Sequence, residues 1–213
     1  MVDAEKFAQA LFKGSVDEVK NYTQELLNQG EKPETILNQG LIKGMDQVGV
    51  KFKNCEIYIP EVLIAARAMH AGLAVLKPQL AKSGPSSAAK IVLGTVKGDL
   101  HDIGKNLVGM MMEGAGFEVI DVGIDTPAEK FVQVAKEKGA QVIGMSALLT
   151  TTMMQMKSTA EMIKNAGLKG KVKVVVGGAP VTAEFAQQIG ADGYAADAAS
   201  AVSKVKELLG ITS

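Results

Sequence analysis

The sequence has no tryptophan, a single cysteine, Cys55, and two histidines, His70 and His101. One cysteine rules out an intrachain disulfide and leaves no cysteine cluster for zinc. Neither sign of charge is in excess, with Lys plus Arg at 23 and Asp plus Glu at 23. That balance leaves no electrostatic footprint for nucleic acid or another polyanion. No apolar run approaches the roughly 18–20 residues of a membrane span. The N-terminus, MVDAEKFAQAL, lacks the basic and apolar segments of a secretory signal. The expectation is a cytoplasmic protein with no nucleic-acid and no membrane partner.

What is present divides into two patterns over 213 residues, of which 47% are apolar. Residues 81–90, AKSGPSSAAK, combine Gly, Pro and Ser in the manner of a flexible linker. Before them, residues 3–13 and 16–29 carry apolar residues at helical spacing and stop near Gly14 and Gly30. Pro33 sits at the start of a third helical pattern that runs to about Lys53, and Pro60 opens a fourth that runs to about Leu80. Short connections between four such helices predict an antiparallel bundle.

After the linker, short apolar runs alternate with helical patterns. The runs are KIVLGTV, EVIDVGI, QVIGMSALL, VKVVVGG and DGYAA, and the helices fall near 104–116, 127–138, 152–166, 183–189 and 198–209. The runs are continuously apolar, as strands buried on both faces are. They predict a five-stranded parallel, doubly wound α/β sheet of flavodoxin or Rossmann type. The expected organisation is a helical domain over 1–82, a linker over 83–89 and the α/β domain over 90–213. Ligands of such sheets lie beyond the carboxyl ends of the strands. That directs attention to the loops GDLHDIG, SALLTTT and GGAPVT.

The first of these loops holds two acids, two glycines and His101. A structural reading has Asp102 capping the next helix, Gly98 and Gly104 forming tight turns and His101 at the surface. A phosphate loop needs G-x-x-x-x-G-K-[ST]. Here five residues separate Gly98 from Gly104, and Asn106 stands where the Ser or Thr should be. A metal-ligand reading has Asp99, two residues before His101, fixing the imidazole through one ring nitrogen while the other binds metal. One histidine falls short of the three or four ligands of an ordinary protein site. It suffices if the metal arrives held by a macrocycle. The methionines at 110–112, 153, 154 and 156 recur at helical spacing and read as core or packing. His70 reads as packing or surface, and Cys55 has no neighbouring Cys or His in sequence.

Three signatures stand in order. Asp99, His101 and Gly104 supply D-x-H-x-x-G; Ser146 and Leu148 supply S-x-L; Gly177 and Gly178 supply a G-G pair. In this the chain resembles the cobalamin-binding corrinoid proteins of methyltransferase systems. Its helical half, through GMDQVGVKFKNCEIYIPEVLIAARAM, is similar to the helical cap of methionine synthase and of small corrinoid methyl carriers.

The resemblance implies a bound corrinoid, with methylcobalamin and a Co(I)/Co(III) cycle. The cofactor would be base-off, with His101 as the metal ligand on the lower face. Asp99 would hydrogen-bond His101, and Thr152 would replace the family's usual Ser as third member of the relay. Gly98, Asp102, Ile103 and Gly104 would complete the contact loop, and Ser146, Leu148 and Thr150 would meet the nucleotide tail. Gly177 and Gly178 would admit the displaced benzimidazole, with Asp197 and Ala198 closing its slot. Phe52 and Ile59 would cover the methyl group on the upper face.

The implied function is a methyl carrier that is not a complete enzyme alone. A substrate-specific methyltransferase would load it from a methylamine, methanol, a methoxyaromatic or a betaine. A second methyltransferase would pass the methyl to tetrahydrofolate or coenzyme M, and a reductive activase would restore the cofactor. The competing readings are a cobalamin-dependent sensor or regulator and the cobalamin domain of a carbon-skeleton mutase. The first would join a basic DNA-binding segment to the bundle, and the second would not need the apolar cap.

Overall fold

The computed structural model describes residues 2–83 and 89–211, with the side chains of 81–83 excepted. Most of the expected linker, 83–89, lies outside the described residues. The chain divides into two compact units, Met1–Ala88 with Glu113–Gly116 and Ala89–Met112 with Phe117–Ser213.

In the first unit α1 spans Ala4–Phe12 and α2 spans Val16–Asn28. Asp3 caps α1 by accepting from the backbone N–H of Glu5 and Lys6, and Ser15 caps α2 by accepting from that of Glu18. The third helical pattern is continuous from Pro33 to Lys53, but it changes its winding. It comprises α3 (Pro33–Thr35), a π-helix over Ile36–Ile42 and α4 (Lys43–Lys53). Helical periodicity carries no sign of the π segment. Within it Gly40 meets the Phe7 ring: a Cβ there would lie 2.5 Å from that ring's Cε2. The fourth helix, α5, runs Ile59–Ser83 straight through the exposed Pro78.

α5 corrects one expectation. Its segment Ile59–Leu80 has a mean hydropathy of 1.5 and is long enough to cross a membrane by composition. Val62, Ala65, Ala68, Met69 and Leu76 of that segment are fully buried. They pack with Phe7, Leu11, Val19 and Leu41 as the core of the bundle, which accounts for one face of the run, while Ile59, Leu63 and Ile64 are 38–43% exposed.

In the second unit the described strands are β1 (Lys90–Val96), β2 (Glu118–Thr126), β3 (Val142–Ser146), β4 (Lys173–Gly177) and β5 (Gly193–Ala195). They form one parallel sheet in the order β2-β1-β3-β4-β5. The helices are α6 (Ile103–Gly114), α7 (Ala128–Lys138), α8 (Thr150–Asn165), α9 (Ala183–Gln188) and α10 (Ala198–Leu209). Phe131, Ile143, Met156 and Val92 are 0% exposed at the centre of the core. Met111 and Met112 are also buried, so those methionines pack rather than bind.

The strand order reverses between β1 and β3, and the loops at their carboxyl ends are the ones that carry the motifs. Register sets Thr95, Ser146, Gly177 and Ala195 side by side in one row at that edge. Two strand ends differ from expectation. β2 continues to Thr126, and β3 stops at Ser146 instead of running through Leu149. The N–H groups of Leu148 and Leu149 turn out of the sheet because a side-chain carboxylate takes them.

Phe131→Ala should lower the unfolding free energy by about 3–5 kcal/mol, since the ring is wholly buried and leaves a cavity. Urea denaturation followed by circular dichroism measures it.

Candidate functional site

The carboxylate that ends β3 belongs to Asp99, which is 0% exposed. Val96 ends β1, and the Asp99 N–H turns back to the Val96 carbonyl (3.1 Å). That turn directs the side chain under the β3–α8 connection. Its Oδ2 accepts the Thr152 hydroxyl (2.6 Å) and the N–H groups of Leu148 (2.8 Å) and Leu149 (3.3 Å). Its Oδ1 accepts the backbone N–H of His101 (3.1 Å) and lies 2.7 Å from His101 Nδ1.

Burial alone would raise the pKa of this acid. The donors outweigh it, chiefly the Thr152 hydroxyl, the Leu148 N–H and the His101 ring, and hold the carboxyl well below the usual range. Asp99 is therefore an anion and can only accept. The His101 ring must donate through Nδ1, so in the neutral imidazole the lone pair resides on Nε2. The His101 side chain is 51% exposed. A buried anion thus presents a half-exposed histidine with one basic nitrogen directed away from it.

Thr152 supplies Asp99 with a hydroxyl donor. Its methyl group faces Gly98, where an added Cβ would sit 3.6 Å from Thr152 Cγ2. The extra carbon of Thr over Ser is accommodated against a residue with no side chain.

The remaining expected residues divide. Leu148 joins Asp99 directly, and Ser146 and Gly177 lie in the row of strand ends. Gly98, Asp102 and Leu148 are exposed on the surrounding loops, and Ile103, Gly104 and Thr150 are exposed in the first turns of α6 and α8. The Asp102 carboxylate accepts from Asn106 Nδ2 (3.1 Å). Gly177 and Gly178 are demanded by the protein's own backbone. A Cβ on Gly178, at φ +127°, would lie 1.9 Å from the Ala147 carbonyl oxygen, and one on Gly177 would lie 2.8 Å from that of Ala195. Asp197 caps α10 by accepting from the Ser200 N–H (2.7 Å), and Ala198 is buried behind it. Phe52 and Ile59 belong to the other unit, where Phe52 is half-buried and Ile59 exposed.

Lys105, the lysine a phosphate loop would need, is 3% exposed and ion-paired with Asp121. It cannot reach a phosphate. Among the described residues no group of three or more His, Cys, Asp or Glu could hold a bare metal ion.

Sequence reading missed two kinds of residue. The first is a set of exposed apolar side chains, Leu100, Leu149, Ile124 and Met154, which are 42–68% exposed and join the expected Ile103 and Leu148 at 76% and 44%. All of them lie in or beside the segments that follow β1, β3 and the carboxyl part of β2. Water-facing apolar residues gathered in this way mark a binding surface. The second comprises Thr95 and Asp125, polar residues near strand carboxyl ends that bond to the His101 loop. Their position in a parallel sheet was the available signal.

These features fit a large flat macrocycle that brings its own metal. A half-exposed Nε2 lone pair supplies one ligand, exposed apolar side chains supply contact area, and Gly104 is open, with nothing within 4 Å of an added Cβ.

Comparison with known proteins agrees. Residues 89–203 and residues 3–77 each match a family model described as a B12 binding domain. A corrinoid protein of Desulfitobacterium hafniense (strain Y51) is 44% identical over 209 residues, covering 97% of each chain. The dimethylamine corrinoid protein of Methanosarcina barkeri is 49% identical over 179 residues, covering 84% of each. The crystal structure of the methanol:cobalamin methyltransferase complex MtaBC from Methanosarcina barkeri aligns with a TM-score of 0.86 at 29% identity. That alignment covers 98% of this chain and 80% of the other.

Two outcomes are expected. Gly178→Ala should lower stability by about 3 kcal/mol, at the upper end for single substitutions, as read by urea denaturation. Asp99 titrates below its unfolded value near 4, so its ionised form stabilises the fold above that pH and the contribution fades as pH falls below it. Asp99→Asn should therefore be less stable at neutral pH. It should also show a shallower fall in urea midpoint between about pH 5 and pH 3.

Proposed function

Since the chain belongs to the B12-binding corrinoid proteins of methyltransferase systems, we propose that it is a methyl carrier whose corrinoid is ligated by His101. The observation that carries the proposal is the Asp99–His101–Thr152 arrangement, which fixes the imidazole by Nδ1 and leaves Nε2 for a metal. When bound, the corrinoid supplies a cobalt centre able to take a methyl group as a cation and hand it on.

The chain's own residues do the rest. His101 Nε2 ligates the metal, and Asp99 makes it a better donor by bonding the opposite nitrogen. Thr152 and the Leu148 N–H keep the carboxylate from following the ring. Leu100, Ile103, Leu148 and Leu149 meet the apolar faces and edges of the macrocycle and keep water off it. Ser146 and Thr150, with Gly177, Gly178, Asp197 and Ala198, would hold the nucleotide tail. The resemblance assigns Phe52 and Ile59, in a cap domain expected over 1–82, to shielding the carried methyl group.

The chain requires partners in this reading. A methyltransferase specific for a methyl donor such as a methylated amine or methanol loads it. A second transfers the methyl to tetrahydrofolate or coenzyme M, a reductive activase rescues it, and all act in the cytoplasm. The MtaBC complex, which pairs a methyltransferase with a chain of this fold, supports the first partner. The dimethylamine relative supports an amine donor.

Reconstituted with cobalamin and reduced to cobalt(II), the protein should show nitrogen hyperfine splitting in its electron paramagnetic resonance spectrum. His101→Ala should abolish the splitting. An unchanged spectrum in that variant would remove His101 from the metal.

A further inference from the structure

The motif residues hold the His101 ring, but other residues hold the backbone that carries it. Asp125, near the end of β2, has φ +48°, a left-handed conformation that strains most side chains. In that conformation its Oδ1 accepts the Gly98 N–H (2.6 Å), while its own N–H donates to the Asp99 carbonyl (3.0 Å). Thr95, on β1 and 0% exposed, donates its hydroxyl to the His101 carbonyl (2.8 Å). The loop is therefore fastened at Gly98, Asp99 and His101 by side-chain and backbone groups of the two adjacent strands.

We propose that Thr95 and Asp125 are positioning residues that hold the loop so that Asp99 selects the Nδ1–H form of His101 before any corrinoid arrives. The inference rests on the reading of His101 as the ligand. The 2.7 Å contact between Asp99 Oδ1 and His101 Nδ1 spans only two residues, so it closes only if the intervening backbone curls back. Within the motif the His101 N–H bond to Asp99 Oδ1 (3.1 Å) closes part of that curl, and the three bonds to Thr95 and Asp125 hold it from the neighbouring strands. A histidine free to rotate would divide its proton between both nitrogens and present a ligand in only part of the molecules. The strain at Asp125 fits this role, because Asn and Asp tolerate a left-handed backbone better than other residues that carry an acceptor.

The test uses the full-length protein without corrinoid. Long-range proton–nitrogen NMR reports which ring nitrogen carries the proton, and His70 provides the only other histidine signal. At a fixed pH of about 8, above the usual histidine pKa, His101 of the native protein should be protonated at Nδ1. Thr95→Val preserves shape and removes the hydroxyl; Asp125→Gly relieves the backbone and removes the acceptor. Each should lose the Nδ1–H preference and bind hydroxocobalamin about tenfold more weakly. Thr95→Ser and Asp125→Asn keep the donor and the acceptor and should retain both properties.

The proposal is overturned if Thr95→Val and Asp125→Gly keep the native tautomer, or if Thr95→Ser and Asp125→Asn lose it. Should Thr95→Val fail to fold, the exposed Asp125 decides alone. Because the tautomer is read without metal, failure here is separate from failure of His101 as ligand, which the cobalt(II) spectrum decides.

Discussion

The site depends on one buried anion. Taking a carboxylate out of water is expensive unless it is hydrogen-bonded. Asp99 is satisfied by donors from separate stretches of chain: its own loop through His101, the β3–α8 connection through Leu148 and Leu149, and α8 through Thr152. Each donor is thereby placed relative to the others. The same bonds end β3 at Ser146, position the first turn of α8 and fix the ring of His101. Removing the charge would free all three, which is why a single side chain can be at once a structural centre and a tuner of a ligand.

Much of this was legible in the sequence because it follows from local patterns. Continuous apolar runs gave the parallel strands, and D-x-H spacing gave the pairing of Asp99 with His101. The end of β3 was not legible. Ala147, Leu148 and Leu149 read as more strand, and only the approach of a carboxylate 49 residues earlier in the chain turns the Leu148 N–H away from the sheet. The π segment at Ile36–Ile42 escaped for the same kind of reason. Its extra residue per turn answers to packing against α1, where Gly40 meets Phe7, and that contact is tertiary.

The paired glycines illustrate how a motif residue can have a cause within the fold. Gly177 and Gly178 were expected to make room for a ligand. The nearer constraint is the chain itself: the carbonyls of Ala195 and Ala147 occupy the space where Cβ atoms would stand. The two roles are compatible. Backbone segments approach so closely there that neither position admits a side chain, whatever ligand lies beyond them.

The exposed apolar residues complete the logic from the other direction. Leu100 and Ile103 flank His101 in sequence and are 68% and 76% exposed, which no folding requirement explains. Had the chain supplied a full set of metal ligands, polar residues would occupy these positions. It supplies one nitrogen and surrounds it with hydrocarbon. In the proposed reading the macrocycle would bring the remaining ligands and the apolar loops would hold it, while the chain's own polar groups fix the ring of a single imidazole. Thr152 fits this economy, since its hydroxyl serves Asp99 while its methyl fills the space beside Gly98. Thr152 therefore adds packing to the loop and keeps a donor on the anion.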